Sequence, residues 1–255
     1  MAKHHVALGI DIGGSGIKGA VVNLEKGEFR TKRKKILTPK PATPEAVIEV
    51  VAQLVDHFID DIDDDTAVGV TVPAVVQHGV VLSAANIDPT WIAFEGEKAL
   101  EKRLGRDVYL VNDADAAGYA ELHYGAGMDE NGLVILTTLG TGIGSAILYR
   151  NVLVPNSELG HLEVDGKDAE TRASFAVKER KGLDWVHWAK RLQRYYATVE
   201  RLFSPDLIIV GGGVSKKAHK WVPLLSTRTP IVAAELLNNA GIAGAALAAH
   251  ENLAA

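Results

Sequence analysis

No cysteine occurs in the 255-residue sequence. Its absence excludes disulfides, thiolate metal sites and cysteine nucleophiles. Long apolar runs are lacking too. Hydrophobic residues make up 47% of the chain and mean hydropathy is +0.07, yet no stretch approaches the roughly 18 residues a membrane helix needs. An excess of basic residues is also missing. The net charge is -5 and the pI is near 6.0, which argues against a general nucleic-acid binder but leaves room for a local basic patch that holds a polyanion. Met1-Ala2-Lys3-His4-His5 runs straight into a strand-like segment, without the apolar core of a signal peptide. The expectation is a soluble cytoplasmic protein with no membrane or nucleic-acid partner, long enough for one large domain or two small ones.

What is present is a series of short apolar runs separated by glycine turns. Residues 6–10 read as a strand, followed by Asp11-Ile12-Gly13-Gly14-Ser15-Gly16 and a returning strand at residues 20–22. A third strand is expected over residues 29–37. Pro39, Pro41 and Pro44 mark a loop, and Val47, Val50, Val51, Leu54, Val55 and Phe58 then recur at helical spacing. The acidic run at residues 60–65 reads as a solvated loop. Strands are expected at residues 66–72 and 107–111, the latter ending at Asn112-Asp113. Residues 133–139 open into Gly140-Thr141-Gly142-Ile143-Gly144-Ser145 before a strand at residues 146–149. Residues 183–203 read as a helix with Leu192, Tyr195, Val199 and Leu202 on one stripe. A buried strand at residues 207–210 leads into Gly211-Gly212-Gly213-Val214-Ser215, and a small-residue helix closes the chain at about residues 238–253. Ile12-Gly13 and Leu139-Gly140 occupy like places in two strand–turn–strand units, which implies a duplication. The expected organisation is an N-terminal α/β domain at residues 1–112, completed by the C-terminal helix at 238–255, and a second α/β domain at 113–237, around a cleft.

The glycine turns fail the usual nucleotide motifs. Lys18 is followed by Gly19, so no P-loop is present. Gly14-Ser15-Gly16-Ile17-Lys18-Gly19 fits G-x-G-x-x-G, but a strand follows it instead of a helix, and residues 33–35 are basic where a dinucleotide site wants an acid. The remaining reading is a pair of hairpin turns whose backbone amides meet phosphate oxygens: Gly13, Gly14 and Ser15 with Lys18 beside them, and Gly140, Thr141, Gly142 and Gly144. Asp11 beside phosphates makes sense with Mg²⁺ between them, held through water; its other reading is a turn cap. The basic run at residues 30–35 is either a polyanion track or an edge strand blunted by charge.

These turns, together with Glu158-Leu159-Gly160-His161, resemble the motifs of ROK-family sugar kinases. The resemblance extends through Gln77-His78-Gly79-Val80-Val81, Ser83-Ala84-Ala85-Asn86, Asn112-Asp113-Ala114-Asp115, residues 155–163 and Asp168-Ala169-Glu170, and it is to the branch that uses inorganic polyphosphate. It implies a duplicated actin/hexokinase-like (ribonuclease H-like) α/β fold, a homodimer, and phosphoryl transfer from inorganic polyphosphate, with ATP as a further donor, to the 6-hydroxyl of D-glucose. A strictly ATP-dependent glucokinase, a glucomannokinase and a non-catalytic sugar sensor are the alternatives. The family pattern makes Asp113 the general base, with Asp115 the rival, and makes Asn86, Asn112, Asp113, Glu158, His161 and Glu170 the sugar contacts. Gly211, Gly212, Gly213 and Ser215 match the nucleoside stretch. Many family members carry a cysteine-rich zinc motif after the Glu-x-Gly-His signature. This chain has none, so Mg²⁺ and no zinc is expected, with His161 left to bind sugar. With the first strand starting near Val6, the DNA-binding extension of the family's repressors is not expected.

Overall fold

A computed structural model describes residues 5–85 and 87–253. The chain divides into two compact units, Met1–Ala120 with Asn239–Ala255, and Glu121–Asn238.

In the first unit, β1 (Val6–Gly13) and β2 (Gly16–Asn23) form a hairpin closed by Gly14-Ser15, with Gly13 opposite Gly16. The strand expected over residues 29–37 is two short ones, β3 (Glu28–Phe29) and β4 (Lys34–Ile36), both paired with β2. Between them the Thr31 hydroxyl accepts the Val21 N–H at 3.1 Å, a side chain replacing the backbone acceptor that a continuous strand would supply. Helix α1 (Pro44–His57) starts where Thr43 caps the Ala46 N–H and Pro44 takes the first helical position. β5 (Val68–Val72), the small β6–β7 hairpin (Val76–Gln77 and Val80–Val81), α2 (Gly96–Leu104), β8 (Val108–Asn112) and α3 (Asp113–Tyr124) follow. The sheet order is β3-β2-β1-β5-β8, with β4 also on β2.

The second unit repeats this plan. β9 (Leu133–Leu139), β10 (Ile143–Tyr149) and β11 (Val152–Val154) form an antiparallel meander. Helices α4 (Glu170–Ala173), α5 (Phe175–Arg180) and α6 (Trp185–Phe203) precede β12 (Leu207–Gly211) and β13 (Ile231–Ala233). The order is β11-β10-β9-β12-β13, with β12 parallel to β9 as β5 is to β1. In each unit, then, the glycine turn joins the same two strands of an equivalent sheet. The buried stripe of α6 is Trp188, Leu192, Tyr195, Tyr196 and Val199. Leu202, expected on it, lies in the last turn of the helix and is 56% exposed.

Helix α7 (Ala240–Leu253) returns to the first unit and begins two residues later than the sequence suggests, after a short 3-10 turn at Leu237–Asn239. Strand alternation explains how it packs. Leu8, Ile10 and Ile12 join the core that includes Val47, Val51 and Leu54 of α1. Gly9 and Asp11 point to the other face, against α7. The approach there is close. A Cβ on Gly69 of β5 would lie 1.9 Å from the Ala245 carbonyl oxygen of α7, so glycine alone lets this helix lie on the sheet. Gly69→Ala is expected to cost about 1–3 kcal/mol, which lowers Tm by roughly 2–4 °C per kcal/mol in a chain of this size. A thermal melt identical to that of the parent chain would contradict this packing. Among the described residues, no helix is long and apolar enough to cross a membrane.

Candidate active site

The strand register of the first unit places one row of side chains across the sheet. Thr71 of β5, Asp11 of β1, Lys18 of β2 and Lys35 of β4 are successive cross-strand partners. Asp11 is the centre of the row: its Oδ1 accepts the Thr71 hydroxyl at 3.1 Å and its Oδ2 accepts Lys18 Nζ at 3.2 Å. Thr71 is fully buried and its oxygen also accepts the Ile12 N–H at 3.3 Å, which fixes the carboxylate just before the turn. Asp11 is therefore oriented by two side-chain donors and is not an isolated charge. Each of its oxygens keeps further acceptor capacity. The neighbouring Gly13 carbonyl accepts the Thr38 hydroxyl at 2.5 Å. Beside this turn lies a cavity of about 300 Å³ lined by Gly13, Gly14, Thr38, Pro39, Ile87 and Asp88 among others, at the lower end of small-molecule pocket sizes. Asn86 lies outside the described residues.

At the end of β8 the chain passes directly from strand to helix. Asn112 makes that possible. Its Oδ1 accepts the N–H groups of Ala114 at 2.8 Å and Asp115 at 3.1 Å, capping α3, while its Nδ2 donates to the Ala74 carbonyl at 3.0 Å. Asn112, then, is the cap of α3, and most of its amide is committed to backbone. Asp113, the first helical residue, is half-buried, whereas Asp115 is 1% exposed. Of the two carboxylates, Asp113 has the greater access to solvent, and it stands at the helix end that favours negative charge.

In the second unit the turn Gly140-Thr141-Gly142 is closed by a Gly140 N–H to Gly142 carbonyl bond of 3.0 Å. Gly144 lies beyond it, inside β10 opposite Thr138. Ile143, the first residue of β10, ties this turn to the Glu-Leu-Gly-His segment. Its N–H donates to Glu170 Oε2 at 3.0 Å. A Cβ on Gly160 would lie 1.9 Å from its carbonyl oxygen, so only glycine fits there. Ser145 accepts the Leu159 N–H at 2.8 Å and donates to the Ser157 carbonyl at 2.6 Å, which pins the segment to β10. Glu158, His161, Asp168 and Glu170 thereby come together. His161 Nδ1 lies 2.7 Å from Asp168 Oδ2, and its Nε2 lies 4.0 Å from Glu158 Oε2. The hydrogen bond to Asp168 holds the imidazole above its ordinary pKa, against a partial burial that lowers it, with Glu170 and Glu158 adding to the rise. Burial pushes the Glu158 carboxyl up; His161 pulls it down, and Glu170 pushes it further up.

Ligand atoms of His161, Asp168 and Glu170 lie within 4.8 Å of one another. The donor set is already engaged: Asp168 holds the imidazole and Glu170 holds the Ile143 amide. What it presents outward is a ring of donors and acceptors, the chemistry that reads a polyol. The residue-by-residue reading does not pick out Asp168 as the partner of His161. Its place seven positions after His161 gives no sign of a pair until the loop folds back. Of the third glycine turn, Gly211 ends β12, Gly212 adopts a positive φ of 79°, and the buried Ser215 donates to the Gly212 carbonyl at 2.8 Å. Ser215 thus braces the turn from inside.

The model of the ROK family matches residues 7–183. The chain is 52% identical to the polyphosphate glucokinase of Mycobacterium tuberculosis over 241 residues, 94% of this chain and 89% of the relative. The crystal structure of the inorganic polyphosphate/ATP-glucomannokinase from Arthrobacter sp. strain KM gives a TM-score of 0.93 at 52% identity, covering 97% of this chain and 99% of that one. A ROK family glucokinase from Streptomyces griseus, solved with glucose and AMPPNP, gives a TM-score of 0.82 at 26% identity, covering 96% and 99%.

Proposed function

The chain belongs to the ROK family, and from that premise we propose that it is a kinase that transfers a phosphoryl group from inorganic polyphosphate to the 6-hydroxyl of D-glucose, with ATP as a further donor. The observation that carries this reading is the 52% identity to a polyphosphate glucokinase over nearly the whole chain. The donor turns, the carboxylate at the start of α3 and the sugar-type cluster supply the parts the chemistry needs.

A sugar hydroxyl is a weak nucleophile at neutral pH. Asp113 accepts its proton as the new oxygen–phosphorus bond forms. The bridging phosphorus–oxygen bond of the donor breaks, and polyphosphate leaves one phosphate shorter. Glu158, His161 and Glu170 hydrogen-bond the sugar hydroxyls, and Asp168 holds the His161 ring in one tautomer. Asn112 positions Asp113 through the cap of α3, and Asn86 is a further sugar contact. Backbone amides of Gly13, Gly14, Ser15, Thr141 and Gly142 are donors for phosphate oxygens, and such turns need no side chain to do it. The Gly211–Gly213 turn with Ser215 serves the nucleoside of ATP. Asp11 fits Mg²⁺ through water: a single oriented carboxylate with spare lone pairs suits an ion that retains its waters, and among the described residues no group of three or more His, Asp or Glu ligands includes it. An Mg²⁺ held there would supply neutralisation of the phosphate charge.

Purified protein with Mg²⁺, glucose and long-chain polyphosphate is expected to yield glucose 6-phosphate in a coupled dehydrogenase assay, and to stop when EDTA is added. Product from ATP but not from polyphosphate would overturn the donor assignment. Product from neither would overturn the kinase reading.

A further inference from the structure

The basic run at residues 30–35 does not present a uniform surface. Its pairing with β2 sets Lys35 directly opposite Lys18 and Lys34 opposite Gly19. Alternation sends Lys35 to the face that carries Lys18 and Asp11, and Lys34 to the other. Lys35 lies along the hairpin: a Cβ on Gly16, the residue after the Gly14-Ser15 turn, would meet the Lys35 side chain at 2.1 Å, at its Cε. Arg33, two residues earlier, reaches Asn239 Oδ1 at 3.5 Å, beside the first turn of α7 that also adjoins Asp11. Lys18, Lys35 and Arg33 therefore form a cationic row that starts at the first phosphate turn and leads outward along one face.

This row is costly for the protein alone. Like charges directly opposite each other on a sheet destabilise it. Lys18 is offset by Asp11 at 3.2 Å. Neither Lys35 nor Arg33 has an ion-pair partner among the described residues, and both are exposed. A charged edge strand meant only to deter pairing has no need to align its cations with a phosphate turn. A linear polyanion laid along the row relieves the repulsion and releases counter-ions. We infer that Arg33 and Lys35, and not Lys32 and Lys34, hold the donor phosphates beyond those at the turn, and so favour long polyphosphate over short donors. The inference rests on the polyphosphate reading above.

Two double variants remove the same charge, one from the row and one from basic residues outside it. R33Q/K35Q is expected to raise KM for long-chain polyphosphate by about tenfold or more, the size of a lost hydrogen bond to a charged group, and to flatten the dependence of that KM on salt. K32Q/K34Q is expected to stay within about twofold, as exposed charges away from a ligand do. Tripolyphosphate, too short to follow the row, is expected to respond weakly to both, and R33K/K35R is expected to retain long-donor affinity. Direct binding of long-chain polyphosphate without glucose is measured for every variant, with a thermal melt to show each is folded. Equal shifts in the two doubles, or none in R33Q/K35Q, overturn the inference while leaving the function intact. If the parent chain neither binds polyphosphate nor makes glucose 6-phosphate from it, both fail.

Discussion

Asp113→Asn is expected to lower kcat by about 10²–10⁴-fold, the usual contribution of a general base, with the KM for glucose little changed. The substitution keeps the shape and the hydrogen-bonding reach of the side chain but removes its capacity to take a proton. The scaffold around it is expected to survive, because the cap of α3 is the Asn112 side chain and not Asp113. The loss of a carboxylate at a helix start costs only about 0.3–1 kcal/mol, visible as a small drop in Tm. Steady-state kinetics beside a thermal melt therefore separates chemistry from folding. A kcat near that of the parent would move the base elsewhere. Asp115 is then the first candidate, although its burial at 1% exposure makes Asp115→Asn a test of stability as much as of rate.

The second large effect is expected at the His161–Asp168 pair. His161→Gln removes an imidazole that bonds Asp168 at 2.7 Å and leaves that carboxylate without its partner. Hydrogen bonds to charged groups are worth about 1.5–3 kcal/mol, so kcat/KM for glucose is expected to fall by roughly 10- to 100-fold. Asp168→Asn is the sharper probe. It keeps an acceptor for the ring but turns the charge-assisted hydrogen bond, the largest cause of the raised imidazole pKa, into a neutral one and removes the smaller contribution of the charge itself. The His161 limb in the pH profile of kcat/KM should therefore move to lower pH. The stability sign follows from the same shift. A histidine whose folded pKa is raised stabilises the fold fully below its unfolded value and loses that contribution as pH rises through the folded value. The Asp168→Asn variant is expected to show a weaker dependence of Tm on pH across that window. An unmoved kinetic limb would place the titration on another group, Glu158 first, since burial raises its carboxyl as well.

Local rules made part of this molecule readable in advance. Two hairpins with glycine turns follow from apolar runs punctuated by glycine, and β1–β2 and β9–β10 are where those runs lie. The α1 helix is marked by Thr43, Pro44 and its apolar spacing. The 29–37 strand failed at Thr31 because a hydroxyl competed for a backbone N–H, an event that propensity does not see. Helix α2 carries little apolar periodicity, with only Gly96 and Leu100 buried, so no pattern announced it.

By itself, the sequence determined which chemistry was available: no thiolate, two phosphate-type glycine turns, an Asn-Asp pair at a strand end and a Glu-x-Gly-His segment. These are statements about residue types and short spacings, and short-range sterics enforce them. Which groups meet was decided only by tertiary structure. Asp11 finds Thr71 sixty positions away because β1 and β5 pair in one register. Asp168 finds His161 because the loop between them folds back, with Glu163 bridged to Asp168. Lys35 shares the face of Lys18 and Asp11 beside the Gly14-Ser15 turn and Lys34 does not, because side chains alternate along a strand and the β2–β4 register sets the phase. Register is a long-range choice fixed by burial of the whole sheet, and no window of neighbouring residues contains it.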